Sequence, residues 1–220
     1  MLFTKNYSTD LSAGKYYIYI SLRRIAMDVS TEPRNLNGGR EDVLEQSDYF
    51  MATAFLTAQQ SRDPCTQVGA VIVNERNIIV GIGHNKMPNG CENFPWSKQK
   101  KSLKDKHLYV CHAEMNAISN KNMTDLKNCT IYVTLFPCNE CAKIIIQSGI
   151  RTIVYMSDKN AYTNKTRASK MMFDAAGVTY SQFEPKNKRI IVFDYDEINR
   201  KEEEVTPTDS CTPAKKIRPS

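Results

Sequence analysis

Between residues 130 and 183, short apolar runs alternate with helical segments, and this alternation constrains the fold more than any other feature. Residues 130–135 read as a strand. Residues 138–147 read as a helix ended by Gly149, and 151–156 as a second strand. Residues 167–176 form a helix ended by Gly177, and 178–183 a last core strand. Strands joined through helices predict a largely parallel sheet with helices on both faces. Upstream, Phe50, Ala54, Phe55 and Ala58 stand near helical spacing in 47–61, with Ser47 and Asp48 as N-cap candidates. The apolar runs 68–73 and 78–82 flank a turn at 74–77, which predicts a hairpin. Residues 112–120 read as helical.

The 220 residues are 41% hydrophobic, enough to bury a core and to exclude a wholly disordered chain. The composition places a domain at 47–199. Residues 1–46 read as a disordered extension, because 30–45 is rich in Asn, Gly, Asp and Glu, with Pro33 and Gly38-Gly39. Residues 200–220 read as a flexible tail, and 189–193 as one more short strand. No run approaches the roughly 20 apolar residues that span a bilayer. The apolar stretch 16–20 is shorter than a signal core and has Arg23 and Arg24 on the wrong side. Seven cysteines without a signal peptide point to a reducing compartment, the cytoplasm, where thiols serve metal or catalysis. The mixed basic and aromatic start leaves mitochondrial targeting open, although Asp10 and Asp28 weaken it.

The net charge is +6. Both ends are nearly balanced, so most of the excess lies in the middle, in Lys98, Lys100, Lys101, Lys104 and Lys106 against Asp105. This run is either a solvated loop or a rim that attracts a phosphorylated ligand; the overall charge is too weak to argue for nucleic acid.

The chemistry concentrates in Cys111-His112-Ala113-Glu114 and Pro137-Cys138-Asn139-Glu140-Cys141. Each segment opens a predicted helix. Cys138 and Cys141, three residues apart, share a helix face. With His112 they offer one imidazole and two thiolates, a set that suits zinc and leaves one tetrahedral position open for water. Helix N-termini also favour thiolates. Glu114, two residues beyond His112, need not bind the metal and can move a proton between water and a substrate nitrogen. A lone Cys-x-x-Cys also serves as a structural zinc half-site or a redox pair, and a lone His-x-Glu means little. Together they match the known signature of zinc nucleobase deaminases. A second grouping, Cys65, Cys91 and His107, reads as buried thiols rather than as a second zinc site.

These motifs resemble the cytidine deaminase superfamily and, within it, the deoxycytidylate (dCMP) deaminases of eukaryotic type, over roughly residues 48–199. The longer strings carry the resemblance: Gln67-Val68-Gly69-Ala70, Met87-Pro88-Asn89-Gly90-Cys91, Tyr109-Val110-Cys111-His112-Ala113-Glu114, and Leu135-Phe136-Pro137-Cys138-Asn139-Glu140-Cys141. The resemblance implies a three-layer α/β/α fold with a five-stranded mixed sheet and helices on both faces. It implies hydrolytic deamination of dCMP to dUMP, supplying thymidylate synthesis. His112, Cys138 and Cys141 would hold one catalytic zinc (Zn2+), with Glu114 as proton shuttle. Asn85 would contact the sugar, and Val68, Ala70 and Ala113 would lie against the substrate.

The family is commonly hexameric, activated by dCTP and inhibited by dTTP, with magnesium (Mg2+) accompanying the triphosphate. The expected partners are therefore small nucleotides and further copies of the chain, with no membrane and no nucleic acid. One loop departs from the family. Where relatives usually read Gly-Tyr-Asn-Gly-Met-Pro, this chain has Gly83-His84-Asn85-Lys86-Met87-Pro88, so His84, Lys86 and Asn89 mark the possible regulatory loop. Losing a glycine at Lys86 restricts the loop if that position needs positive φ.

Overall fold

The computed structural model describes Gly39 and residues 43–186. The proposed strand at 189–193, the tail at 200–220 and the extension up to residue 38 lie outside the described residues. Five strands form one sheet in the order β2-β1-β3-β4-β5. In chain order the elements are α1 (Gln46–Ala58), β1 (Gly69–Val73), β2 (Ile79–His84), α2 (Ala113–Ser119) and β3 (Thr130–Leu135). Then come α3 (Asn139–Gln147), β4 (Thr152–Ser157), α4 (Asn164–Ala176) and β5 (Thr179–Gln182).

The sheet is mixed. β3, β4 and β5 are parallel, as their helical crossovers require. β1 runs antiparallel to both β2 and β3, so the largely parallel expectation holds for only half of the pairings. The hairpin accounts for one antiparallel pair. The other arises because β1 enters the sheet between β2 and β3. This arrangement is the five-stranded mixed sheet that the resemblance implies.

Strand alternation sorts the side chains to two faces. Ala70, Ile72, Ile131, Val133 and Ile153 pack with Ala113, Ala117, Cys141, Ile145 and Phe173, so α2, α3 and α4 cover one face. Val71, Val73, Tyr132 and Val154 pack with Phe50, Met51 and Ala54 of α1 on the other. Two glycines allow this closeness. A Cβ on Gly69 would lie 1.9 Å from the Ala54 carbonyl oxygen of α1. One on Gly83 would lie 2.3 Å from the Ala117 nitrogen of α2.

Helix starts differ from the sequence expectation. α1 begins at Gln46 with Glu45 as N-cap, so neither Ser47 nor Asp48 caps it, and the extension ends short of residue 46. α4 starts at Asn164 rather than Arg167, because the Thr163 hydroxyl accepts from the Thr166 amide. Gly149 and Gly177 carry positive φ, as helix-ending glycines do.

Candidate active site

Two helix N-termini meet at the carboxyl-end side of β3. His112 is the N-cap of α2 and Cys138 the N-cap of α3, both in extended backbone. Their side chains therefore project from the helix ends, and Cys141 follows one turn into α3. The His112 Nδ1 atom lies 3.5 Å from Cys138 Sγ and 3.3 Å from Cys141 Sγ. All three donor atoms fall within 4.8 Å of one another, the one such group of three among the described residues.

The electrostatics agree with the geometry. The His112 imidazole is pushed up to about 9, chiefly by its hydrogen bond with Cys138, against the pull of burial and with help from Glu114. The Cys138 thiol is pulled down to about 3, first by Cys141 and then by His112, against burial. Cys141 moves well above the ordinary thiol range, through Cys138 and burial. The trio thus shares its protons internally, and a bound cation displaces them. One imidazole and two thiolates at this spacing fit zinc.

Glu114 stands in the first turn of α2 and is only 4% exposed. Burial raises its pKa, while His112 acts in the opposite sense. A carboxyl whose protonated form is favoured in this way is suited to taking and returning a proton. Its carboxylate also engages the Cys141 thiol, so it lies beside the metal-binding group.

Val68, Ala70 and Ala113 belong to the packed cluster that contains Cys141. Asn85 follows β2 and is buried. Its Oδ1 accepts from the Val68 amide at 2.8 Å, and its Nδ2 donates to the Thr66 carbonyl at 3.0 Å and to Asp63 Oδ2 at 3.3 Å. Lys86 forms an antiparallel bridge with Cys111, next to His112. Positive φ among the described non-glycine residues occurs only at Asn77, Lys101 and Asn128, so Lys86 does not need the glycine of its relatives. Its ammonium donates to Asn89 Oδ1 at 2.7 Å. His84 is half-buried and held below the usual imidazole range, first by burial and then by Lys86. It lines a cleft of about 340 Å³ with Leu56, Thr57, Gln60, Ile82, Gly83 and Asn120, a set that includes neither the zinc ligands nor Glu114.

Two expectations are corrected. Cys65 is exposed and Cys91 half-buried, so they are not buried thiols; His107 pairs with Asp105 at 2.7 Å instead of joining them. The lysine run is also not a uniform rim. Lys98, Lys100, Lys101 and Lys104 are exposed, but Lys106 is buried, with its ammonium on Asp63.

Three residues that sequence reasoning passed over hold the centre in place. Asp63 pairs with Lys106 and accepts from Asn85. Asn116 Nδ2 donates to the His84 carbonyl at 2.7 Å and the Cys111 carbonyl at 3.3 Å, tying α2 to β2. The fully buried Ser169 hydroxyl of α4 donates to the Pro137 carbonyl at 2.8 Å, one residue before Cys138. No local pattern distinguishes a serine or lysine of this kind from a solvated one.

A protein-family model described as the cytidine and deoxycytidylate deaminase zinc-binding region matches residues 44–157. The chain is 56% identical over 163 residues to deoxycytidylate deaminase of Pongo abelii, covering 73% of this chain and 91% of that protein. It is 55% identical, over the same length and coverage, to deoxycytidylate deaminase of Homo sapiens. It is 48% identical over 185 residues to a probable deoxycytidylate deaminase of Drosophila melanogaster, covering 80% of this chain and 90% of that protein. The crystal structure of dCMP deaminase from the cyanophage S-TIM5, in complex with dCMP and dUMP, has a TM-score of 0.50 at 23% identity. It covers 62% of this chain and 95% of that one, a likeness of fold. The zinc-binding group and Glu114 lie inside the matched region, and the identity runs along nearly the whole length of these relatives: the chain belongs to the deoxycytidylate deaminases, hydrolytic enzymes of the cytidine and deoxycytidylate deaminase family.

Proposed function

We propose that this chain hydrolyses dCMP to dUMP and ammonia, supplying dUMP for thymidylate synthesis. The observation that carries the reading is the convergence of His112, Cys138 and Cys141 at two helix N-termini, with buried Glu114 beside them. Zinc, when held there, supplies a Lewis acid that brings the ionisation of water near neutral pH.

The chain's own residues move the protons. Glu114 accepts the proton of the attacking water and delivers it to N3 of the cytosine as C4 becomes tetrahedral. It then takes the proton of the new C4 hydroxyl and delivers it to the amine as the C4–N bond breaks and C4=O forms, so one water is consumed and one ammonia released. Burial favours the protonated form of Glu114, which the second transfer needs. Val68, Ala70 and Ala113 provide a small, apolar surface against the flat base. Asn85 meets the sugar hydroxyl.

The substrate is a free mononucleotide in the cytoplasm, and no base flipping is required. No helix among the described residues is long and apolar enough to cross a membrane. The same proposal includes homo-oligomers, activation by dCTP with magnesium and inhibition by dTTP, each effector favouring one conformational state. Lys86 tied to Asn89 alters the effector affinity without removing the response.

Parallel assays of dCMP, CMP, deoxycytidine and single-stranded DNA test the substrate, with turnover of dCMP far above the other three as the expected result. Equal or greater turnover of DNA would replace this reading with nucleic-acid editing. Saturation curves for dCMP that superimpose with and without each triphosphate would remove the regulatory part.

A further inference from the structure

Lys106 is only 3% exposed, and its one charged partner is Asp63, itself 4% exposed. The two are 43 residues apart in the chain. Lys106 Nζ donates to Asp63 Oδ1 at 2.6 Å, contacts Oδ2 as well, and stands 6.0 Å from the centre of the Trp96 ring. Asp63 Oδ1 also accepts from the amides of Cys65 and Thr66, at 2.8 and 3.2 Å. Its Oδ2 accepts from Asn85 Nδ2.

This arrangement spends the Asn85 amide unequally. Both Nδ2 hydrogens are committed, one to Asp63 and one to the Thr66 carbonyl. Oδ1 takes one hydrogen bond from the Val68 amide and keeps its second lone pair. Turning the amide over would set Nδ2 against the Val68 N–H, and Oδ1 against a carboxylate and a carbonyl. While Asp63 is ionised, that flip loses three contacts and creates repulsion in a buried site. Without Lys106, burial favours the protonated form of the Asp63 carboxyl, which removes the charged restraint on the amide and leaves only the Val68 amide and the Thr66 carbonyl to oppose the flip.

We infer that the Asp63–Lys106 pair is a positioning device that orients Asn85, so that Asn85 only accepts a hydrogen bond from substrate. The inference rests on the reading of Asn85 as the sugar contact. The 3′-hydroxyl is the one free hydroxyl on the sugar of dCMP, and it must then act as the donor. Asp63 and Lys106 thereby set the preference for a 3′-hydroxyl without touching the nucleotide.

The test compares kcat/KM for dCMP and for its 3′-deoxy analogue, with zinc content measured on each zinc-loaded protein. The proteins are wild type, Asn85→Ala, Lys106→Met and the double variant Asp63→Asn with Lys106→Met. The double variant removes both charges together and leaves none orphaned, so it carries the test if Lys106→Met alone does not fold. Wild type is expected to prefer dCMP by at least about tenfold. Asn85→Ala is expected to abolish that preference. Lys106→Met and the double variant are expected to lose part of it, through KM for dCMP more than through kcat, with zinc retained. Preservation of the wild-type preference in either Lys106 variant would overturn the positioning role. Preservation in Asn85→Ala would instead refute the sugar contact itself.

Discussion

The two sides of the active site are built by different means. The metal side hangs on regular structure: His112 and Cys138 cap helices, and Cys141 lies one turn further on. The proposed substrate side draws on Asp63, Asn85 and Lys106 from three separate segments outside the α-helices and strands, and a buried ion pair joins them. Secondary structure places the first set, and a charge pair places the second. Damage to the metal side should therefore remove chemistry, whereas damage to the substrate side should first loosen recognition.

The largest effect should come from Cys138→Ala, which deletes a donor whose thiolate form is strongly favoured. Zinc content should fall from about one per chain to near zero, and activity with it. Metal analysis of the purified variant checks this, and full zinc occupancy would exclude Cys138 as a ligand. Glu114→Ala comes next. It should keep fold and zinc while losing at least about 10²–10⁴-fold in kcat, because the carboxyl serves more than one proton transfer. Turnover within about tenfold of wild type would remove Glu114 from the mechanism.

Ser169→Ala sharpens the comparison at smaller scale. It leaves the Pro137 carbonyl without its buried donor and should cost about 1–3 kcal/mol of stability. Zinc should also dissociate faster into a chelator, because Cys138 follows directly; an unchanged rate would show that α3 alone fixes this ligand.

The smallest effect concerns acid. Burial alone would raise the pKa of Asp63, but Lys106 and the amides of Cys65 and Thr66 outweigh it, so the carboxyl lies below its ordinary value. The folded protein then binds fewer protons than the unfolded chain as pH falls through the carboxylate range. The stability from Asp63 is complete above the unfolded pKa and is lost as pH drops through the folded one. Melting curves of Asp63→Asn should show a shallower decline with acid than wild type. Parallel declines would mean that the pair contributes nothing to acid sensitivity.

This division also explains what could be read from the residues alone. Helix caps and a three-residue thiol spacing are local features, so His112, Cys138, Cys141 and the starts of α2 and α3 stand in the sequence itself. The β3–β5 crossovers are equally local. Lys106 is different: along the chain it is one of five lysines in a short run, and only its distant partner Asp63 separates it from the exposed four. The antiparallel entry of β1 beside β3 is likewise a non-local pairing that apolar runs do not encode. The expected caps Ser47 and Asp48 failed because α1 begins one residue before Ser47.

The central claim is that the His112, Cys138, Cys141 and Glu114 group deaminates dCMP with zinc. The most direct measurement strips the metal from the purified full chain, returns zinc stepwise, and follows conversion of dCMP to dUMP at each step. Turnover should rise in proportion to bound zinc and stop rising at about one zinc per chain. Full turnover by the metal-free chain, or none by a fully zinc-loaded one, would contradict it.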